Sequence, residues 1–274
     1  MEGIKEKIIE KNKTDFSREK RKSLKNLNVH NVTSHLKIPF DAEKMARTCS
    51  EKYFNVEGHK YYQMTPEMIK ESWDHKTKTS RKAGSDLDAY IGIKLEESDN
   101  KAKLWKLDNN INDNKFLKAR CEGADKILSN LDKLGIKFEM REIPLYFVYN
   151  DEFVFSGRED ALFKTNDRYI LIDWKSGEIS TSNKFQNMLG PLRNFEDCKL
   201  VEYTIQTYLY KYFLIHTYGI TEPIDVYITE LKAKDKDENV GDYHVYAPAF
   251  EYDEELIEKI LSYCVEKEKL INEK

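Results

Sequence analysis

The sequence predicts an α/β (α+β) fold: a central mixed β-sheet flanked by helices, preceded by a helical N-terminal region. Three observations predict it. From Val32 to about Ile136 the apolar residues recur at helical spacing. After Gly135 the texture changes to short runs rich in β-branched and aromatic residues, separated by turn dipeptides. A long apolar helix then returns, followed by two more strands and a last helix, which is the order of a mixed rather than an all-helical chain.

Residues 1–28 interleave Lys5, Lys7, Lys11, Lys13, Arg18, Lys20, Arg21, Lys22 and Lys25 with acids. They read as a charged tail or frayed helix, because the acids offset most of the charge that a DNA-binding arm would need. Residues 29–136 form the helical region. Thr65 with Pro66 and Glu67 is an N-terminal signal for a helix running through Ile69 and Trp73. A second helix is expected over Ser85–Glu96 and a third over Phe116–Leu134, stopped by Gly135. Residues 137–274 form the core. Phe138–Tyr149 and Glu152–Ser156 read as strands about an Asn150-Asp151 turn. Ala161–Lys164 and Arg168–Trp174 read as a hairpin about Thr165-Asn166-Asp167. Residues 176–199 read as loop, Leu200–Tyr218 as a helix ending at Gly219, Val226–Leu231 and Tyr243–Ala247 as strands, and Asp253–Lys269 as the last helix.

Composition narrows the class. Of 274 residues 40% are hydrophobic and 34% charged, a globular balance rather than a disordered one. No apolar run approaches the roughly 20 residues that span a bilayer, and the N-terminus has no apolar core of the secretory kind. The expectation is a cytoplasmic protein with no membrane contact. Cys49, Cys121, Cys198 and Cys264 are widely spaced without a Cys-x-x-Cys pair, so neither a zinc site nor a disulfide framework is expected. The net charge of −4 means that any nucleic-acid contact must come from a local patch.

The informative stretch is Gly157-Arg158-Glu159-Asp160-Ala161 followed by Tyr169-Ile170-Leu171-Ile172-Asp173-Trp174-Lys175-Ser176. Acid-x-lysine spacing alone carries nothing here, since Asp74-x-Lys76, Asp197-x-Lys199 and Glu230-x-Lys232 share it. Context selects Asp173-Trp174-Lys175, which ends an apolar run and so closes a buried strand. Alternation along a strand puts Asp173 and Lys175 on one face and Trp174 on the other. Asp160, on the preceding hairpin, reaches the same sheet edge. Burying two carboxylates and an ammonium is costly unless they serve one another or a cation. A divalent metal between the acids removes their repulsion, and hard oxygen ligands suit Mg²⁺ or Mn²⁺. On spacing alone, a strand-end ion pair of Lys175 with either acid accounts for the same residues.

In order, Gly157-x-x-Asp160, Asp173-x-Lys175 and Gln206-x-x-x-Tyr210 resemble the motifs of the PD-(D/E)xK nucleases, specifically the RecB-type exonuclease branch. They cover about residues 140–220 and suggest a small phage-like member, similar to the mitochondrial genome maintenance exonuclease. The resemblance implies a restriction-endonuclease-like core and a metal-dependent DNA exonuclease, single-strand or end preferring, working in DNA recombination, repair or replication. It implies Asp160, Asp173, Lys175, Gln206 and Tyr210 as catalytic residues, a glutamine capping a polar network and a core tyrosine being the alternative for the last two. Asp160, Asp173, the Trp174 backbone carbonyl, Glu142 and Asp88 would be metal ligands. Glu142 takes the place of an acid on the strand before Gly157, as a ligand or as an acceptor behind one, the alternative being a surface acid on an edge strand. Asp88 in Gly84-Ser85-Asp86-Leu87-Asp88 stands where a histidine is usual, the alternative being a solvated helix residue. No iron–sulfur cluster is expected, since Cys198 and Cys264 lie too far apart. Trp73, Lys76, Lys78, Arg81, Lys82 and Ser176 would contact DNA, with Tyr61, Tyr62 and Trp105 joining an arch over the strand. Trp73 as a core anchor, with its lysines as a solvated face, is the alternative. The competing functions are a structure- or sequence-specific endonuclease and a nuclease-fold DNA-binding module with an impaired site.

Overall fold

The computed structural model describes residues 3–96, 111, 114–234 and 240–273. The order of elements is α1 (Ile4–Asp15), α2 (Arg18–Lys22), β1 (Lys25–Asn28), α3 (Val29–His35), α4 (Ala42–Tyr53) and α5 (Pro66–Glu96). There follow α6 (Lys115–Lys133), β2 (Lys137–Met140), β3 (Pro144–Tyr149), β4 (Phe153–Arg158), β5 (Ala161–Lys164) and β6 (Tyr169–Lys175). A 3-10 turn at Gly190–Leu192, α7 (Lys199–His216), β7 (Ile224–Ala233), β8 (Gly241–Tyr246) and α8 (Glu254–Asn272) complete the chain.

The strands form two mixed sheets rather than one central sheet. The larger has the order β2-β5-β6-β7-β8, parallel only between β6 and β7. The smaller has the order β1-β4-β3, with β1 parallel and β3 antiparallel to β4. Helices cover both, so the class is mixed α/β. Its division into two sheets arises at Arg141–Ile143, where the expected single run Phe138–Tyr149 breaks. Glu142 there takes a left-handed φ of 53°, its N–H donating to the Glu159 carbonyl at 3.0 Å. Pro144, lacking an N–H, then opens the edge strand β3, a position where that loss is tolerated. The Asn150-Asp151 turn forms as expected, with φ of 51° and 53°, the doubly left-handed geometry of a tight hairpin.

β6 is the middle strand of the larger sheet and is buried through Trp174. Its side chains divide between two cores. Tyr169 and Leu171 join the main core with α3, α7 and α8, while Ile170, Ile172 and Trp174 join a second core under α5 and α6. A strand covered on both faces is expected to read as a continuous apolar run.

Three expectations change. The segment taken for a charged tail is folded into the protein. Ile4 and Ile8 of α1 lie in the main core, and Asn12 donates to the Pro144 carbonyl at 2.7 Å and accepts from Tyr218 Oη at 2.7 Å. β1 supplies a full strand to the smaller sheet. Ile4, Ile8, Phe16 and Leu27 are the buried apolar residues of this segment, too scattered to stand out among the lysines. The helices expected at Thr65 and Ser85 are one 31-residue helix; Gly84 within it costs about 1 kcal/mol but does not break it. The helical region 29–136 is not a unit either. α3 packs in the main core, α4 and the start of α5 share a small core of Ala46, Tyr61 and Ile69, and the end of α5 packs with α6. Trp105 lies outside the described residues. Among the described residues no helix is long and apolar enough to cross a membrane.

Candidate active site

β5 begins at Ala161, paired with Ile172, so β6 outruns its antiparallel neighbour by the length of Asp173-Trp174-Lys175. The Trp174 N–H consequently has no strand partner on that side. Asp160, the residue just before β5, takes it with its side chain, Oδ2 accepting at 2.7 Å. The bond fixes the Asp160 carboxylate beside the end of β6, which is how the Gly-x-x-Asp hairpin meets the Asp-x-Lys strand.

Asp173 is buried, and Lys175 two residues on shares its face. Lys175 Nζ lies 2.8 Å from Asp173 Oδ1 and 2.7 Å from Oδ2. Only the first contact is aligned as a hydrogen bond, so Oδ2 is a buried oxygen balanced by charge alone. Burial by itself would depress the Lys175 pKa, but the Asp173 and Asp160 carboxylates override it and hold the ammonium above its ordinary range. Tyr203 of α7 lies under that ammonium, 4.6 Å from ring centre to Nζ. Asp160 behaves oppositely. Burial, then repulsion from Asp173, pushes its carboxyl up to about 7, against the pull of Lys175 and the Trp174 amide. As a residue Asp160 is only half-buried, but its carboxyl is enclosed by these neighbours.

Gly157 earns its place by contact. A Cβ there would lie 2.5 Å from Tyr210 Cε1 and 2.9 Å from Val29 Cγ2. The Tyr210 ring of α7 packs against the bare backbone just before Asp160, and is buried. Gln206, one turn earlier on the same helix face, is also buried, and its Nε2 lies 3.1 Å from His30 Nδ1. His30, on α3, lines the cleft with Asp160 and Lys175. Much of that residue is exposed, but partial desolvation of the ring and the Lys175 ammonium lower its pKa. No sequence signal pointed to it or to Tyr203.

Glu142 lies not on the expected strand but in the link between the two sheets, with a left-handed φ of 53°. It lines the same cleft, and burial followed by repulsion from Asp88 and Asp160 raises its pKa. Asp88 lines a neighbouring cleft that shares Asp160, Lys175 and Glu142. Its carboxylate is held by Arg141, whose guanidinium passes close over α5 at Gly92. Glu159, beside Asp160, is wholly buried with neither carboxylate oxygen in a well-formed hydrogen bond. Burial pushes it up to about 8, its own and Ile143's backbone amides offsetting part of that. Glu230, the acid of a competing triplet, lies buried in register with Lys175 on β7 and accepts from Tyr246 Oη at 2.9 Å.

The expected DNA contacts divide. Arg81 and Ser176 line the neighbouring cleft, where α5 crosses at Gly84, 3.7 Å from Ser176 Oγ to a built Cβ. Lys76, Lys78 and Lys82 are exposed on α5. Trp73 is half-buried in the small helical core, its Nε1 donating to Tyr61 Oη at 2.8 Å, while exposed Phe40 lies against its ring at 5.8 Å.

The two enclosed carboxylates, one with an orphaned oxygen, are donors of the kind a hard divalent cation takes. Among the described residues, however, no group of three or more His, Cys, Asp or Glu side chains is gathered closely enough to hold a metal. Lys175 pairs with Asp173 and Arg141 with Asp88 instead. Comparison with protein-family models, with curated proteins and with solved structures finds no match for this chain.

Proposed function

We propose that the chain is a metal-dependent deoxyribonuclease, a phosphodiester hydrolase whose two mixed sheets contain a restriction-endonuclease-like core of the RecB type. The observation that carries this is the meeting of Asp160, Asp173 and Lys175 at the overhanging end of β6, inside a cleft of about 470 Å³. Asp160 and Asp173 would hold Mg²⁺ or Mn²⁺. The Trp174 carbonyl supports them, since the N–H and C=O of a strand residue point to the same side, and that side lies beyond the start of β5. When bound, the ion would lower the pKa of a water and offset charge developing on the phosphodiester. Lys175, kept charged by its acidic neighbours, would orient the attacking water or stabilise the phosphorane-like charge. Tyr203 and Gln206 fix the ammonium and His30 from α7. The substrate is DNA, single-stranded or entered from an end, in recombination, repair or replication, and a phage origin within a host cytoplasm belongs to the same proposal.

The experiment is degradation of labelled DNA with and without Mg²⁺ or Mn²⁺. Asp173→Asn and Lys175→Met, which keep volume, should each lower the rate at least about a hundredfold, the cost of losing one transition-state contact. Near-wild-type rates in both folded variants would overturn the assignment. Circular single strands left intact beside shortened linear ones would indicate an exonuclease.

A nuclease-fold DNA-binding module is the second reading. The pairing of Asp88 with Arg141 and of Asp173 with Lys175 favours it, because both acids are then already neutralised. Binding to DNA in calcium without cleavage in any divalent ion would select it.

A further inference from the structure

The cleft continues beyond the carboxylates, over the outer face of the smaller sheet. Phe153 and Phe155 of β4, Leu145 of β3 and Leu27 of β1 point into the main core. Alternation therefore turns Val154, Ser156 and Arg158 outward, with Tyr146 and Val148 of β3 and Asn26 and Asn28 of β1. The Val148–Val154 end of this face is covered by Phe16 and Leu24. The other end, with Asn26, Asn28, Ser156 and Arg158, is open and forms one cleft with Asp160 and Lys175.

Arg21 of α2 stands at that open end. Its guanidinium lies 4.9 Å from the centre of the Tyr146 ring, which is stacked in turn on Phe16. Nη1 donates to Tyr146 Oη at 2.7 Å and Nε to the Phe16 carbonyl at 2.9 Å. Among the described residues no carboxylate pairs with it. A guanidinium held by two hydrogen bonds and a ring, yet left without a counter-charge, is prepared for an anion that the chain does not supply. The asparagines point the same way. Asn28 Oδ1 accepts from the His30 N–H at 2.7 Å and Asn26 Oδ1 from Ser156 Oγ at 2.9 Å. With both acceptors engaged internally, the Nδ2 donors are what these amides offer outward.

We infer that this open half of the smaller sheet is a groove for the nucleic-acid strand flanking the bond at Asp160, with Arg21 anchoring an internal phosphodiester. The direction of the strand rests on the nuclease proposal; the groove itself does not. Donors and a fixed cation on the open face, with Arg158 there already paired to Glu142 at 3.8 Å, suit a backbone contact that is indifferent to sequence.

The test is fluorescence anisotropy of oligothymidylates of four and twelve nucleotides with the full chain in Ca²⁺. Each is used with and without a terminal phosphate. The longer strand should bind more tightly to the wild type. Arg21→Gln should lose about tenfold of that gain, as expected for a charged hydrogen bond, and lower the slope of log affinity against log salt by about 0.7. Asn28→Asp keeps an equally good helix cap while placing a negative charge in the groove, and should lose the gain as well. An unchanged gain in both variants would overturn the groove, as would a loss confined to end-phosphorylated strands, which would mark an end-binding site. Arg21-dependent binding without cleavage in Mg²⁺ or Mn²⁺ would remove the nuclease proposal and leave the groove. Cleavage with Arg21-independent binding would do the reverse.

Discussion

At Asp160 two demands meet: the Trp174 N–H needs an acceptor, and Asp173 nearby makes a second negative charge unwelcome. The carboxyl responds by holding its proton to about pH 7 rather than releasing it near 3.8. Glu159 does the same, to about 8 from 4.5, for want of any solvent. A carboxyl whose pKa is raised by folding stabilises the fold fully below its unfolded value, and that contribution is lost as pH climbs through the folded value. Metal-free protein should therefore lose Tm between about pH 4 and pH 8, measured in EDTA. Asp160→Asn keeps the acceptor but removes the charge. It should flatten the lower part of that decline and melt above the wild type at pH 8, and should lose the Tm increase in Mn²⁺ that the proposed metal site predicts for the wild type. A Tm that rises with pH in EDTA, or an Asn variant still stabilised by Mn²⁺, would refute this account. Asp173 and Lys175 were legible because strand alternation alone puts them on one face. Glu142 was assigned to a strand; its left-handed φ at the sheet break leaves no mark in a charged sequence, although Pro144 just after it does.

At the scale of elements, α7 and the β4–β5 link are fitted to each other through Gly157. The Tyr210 ring occupies the volume a side chain would need. Gly157→Ala must displace either that ring or Asp160, and overpacking of this kind costs about 1–3 kcal/mol. We expect a lowered urea midpoint and, on the proposed nuclease function, DNA degradation reduced further than the stability loss explains, since the same shift moves Asp160. A midpoint and rate both equal to wild type would show that the contact relaxes freely. Two of the three motifs that the sequence supplies are thereby one packing arrangement seen twice. The Gln-x-x-x-Tyr helix was readable from its spacing, but the reason for its tyrosine was not.

At the scale of the whole molecule, the N-terminal segment completes the site. α1 buries Ile4 and Ile8 in the main core, β1 provides one wall of the groove, and α3 carries His30 to Gln206. Ile8 is fully buried, so Ile8→Ala should cost about 2–5 kcal/mol, the range for core truncations. Equilibrium unfolding in urea measures it, and a variant as stable as the wild type would restore the view of this segment as a solvated tail. Its lysines had dominated the composition of residues 1–28, while the apolar residues that matter are few and separated by a full turn.

The sequence by itself determined the strand carrying Asp173 and Lys175, the hairpin that brings Asp160 to it, and the mixed character of the fold. Those follow from side-chain alternation, apolar runs and turn residues, all of which act between near neighbours in the chain. Tertiary structure alone decided that the sheet is two sheets, that Arg141 takes Asp88, and that Arg21 and His30 face the same cleft as Asp160. The Arg141–Asp88 and His30–Gln206 contacts join residues 50 or more apart in sequence, and each is selected by shape and charge after collapse, where no local period records it.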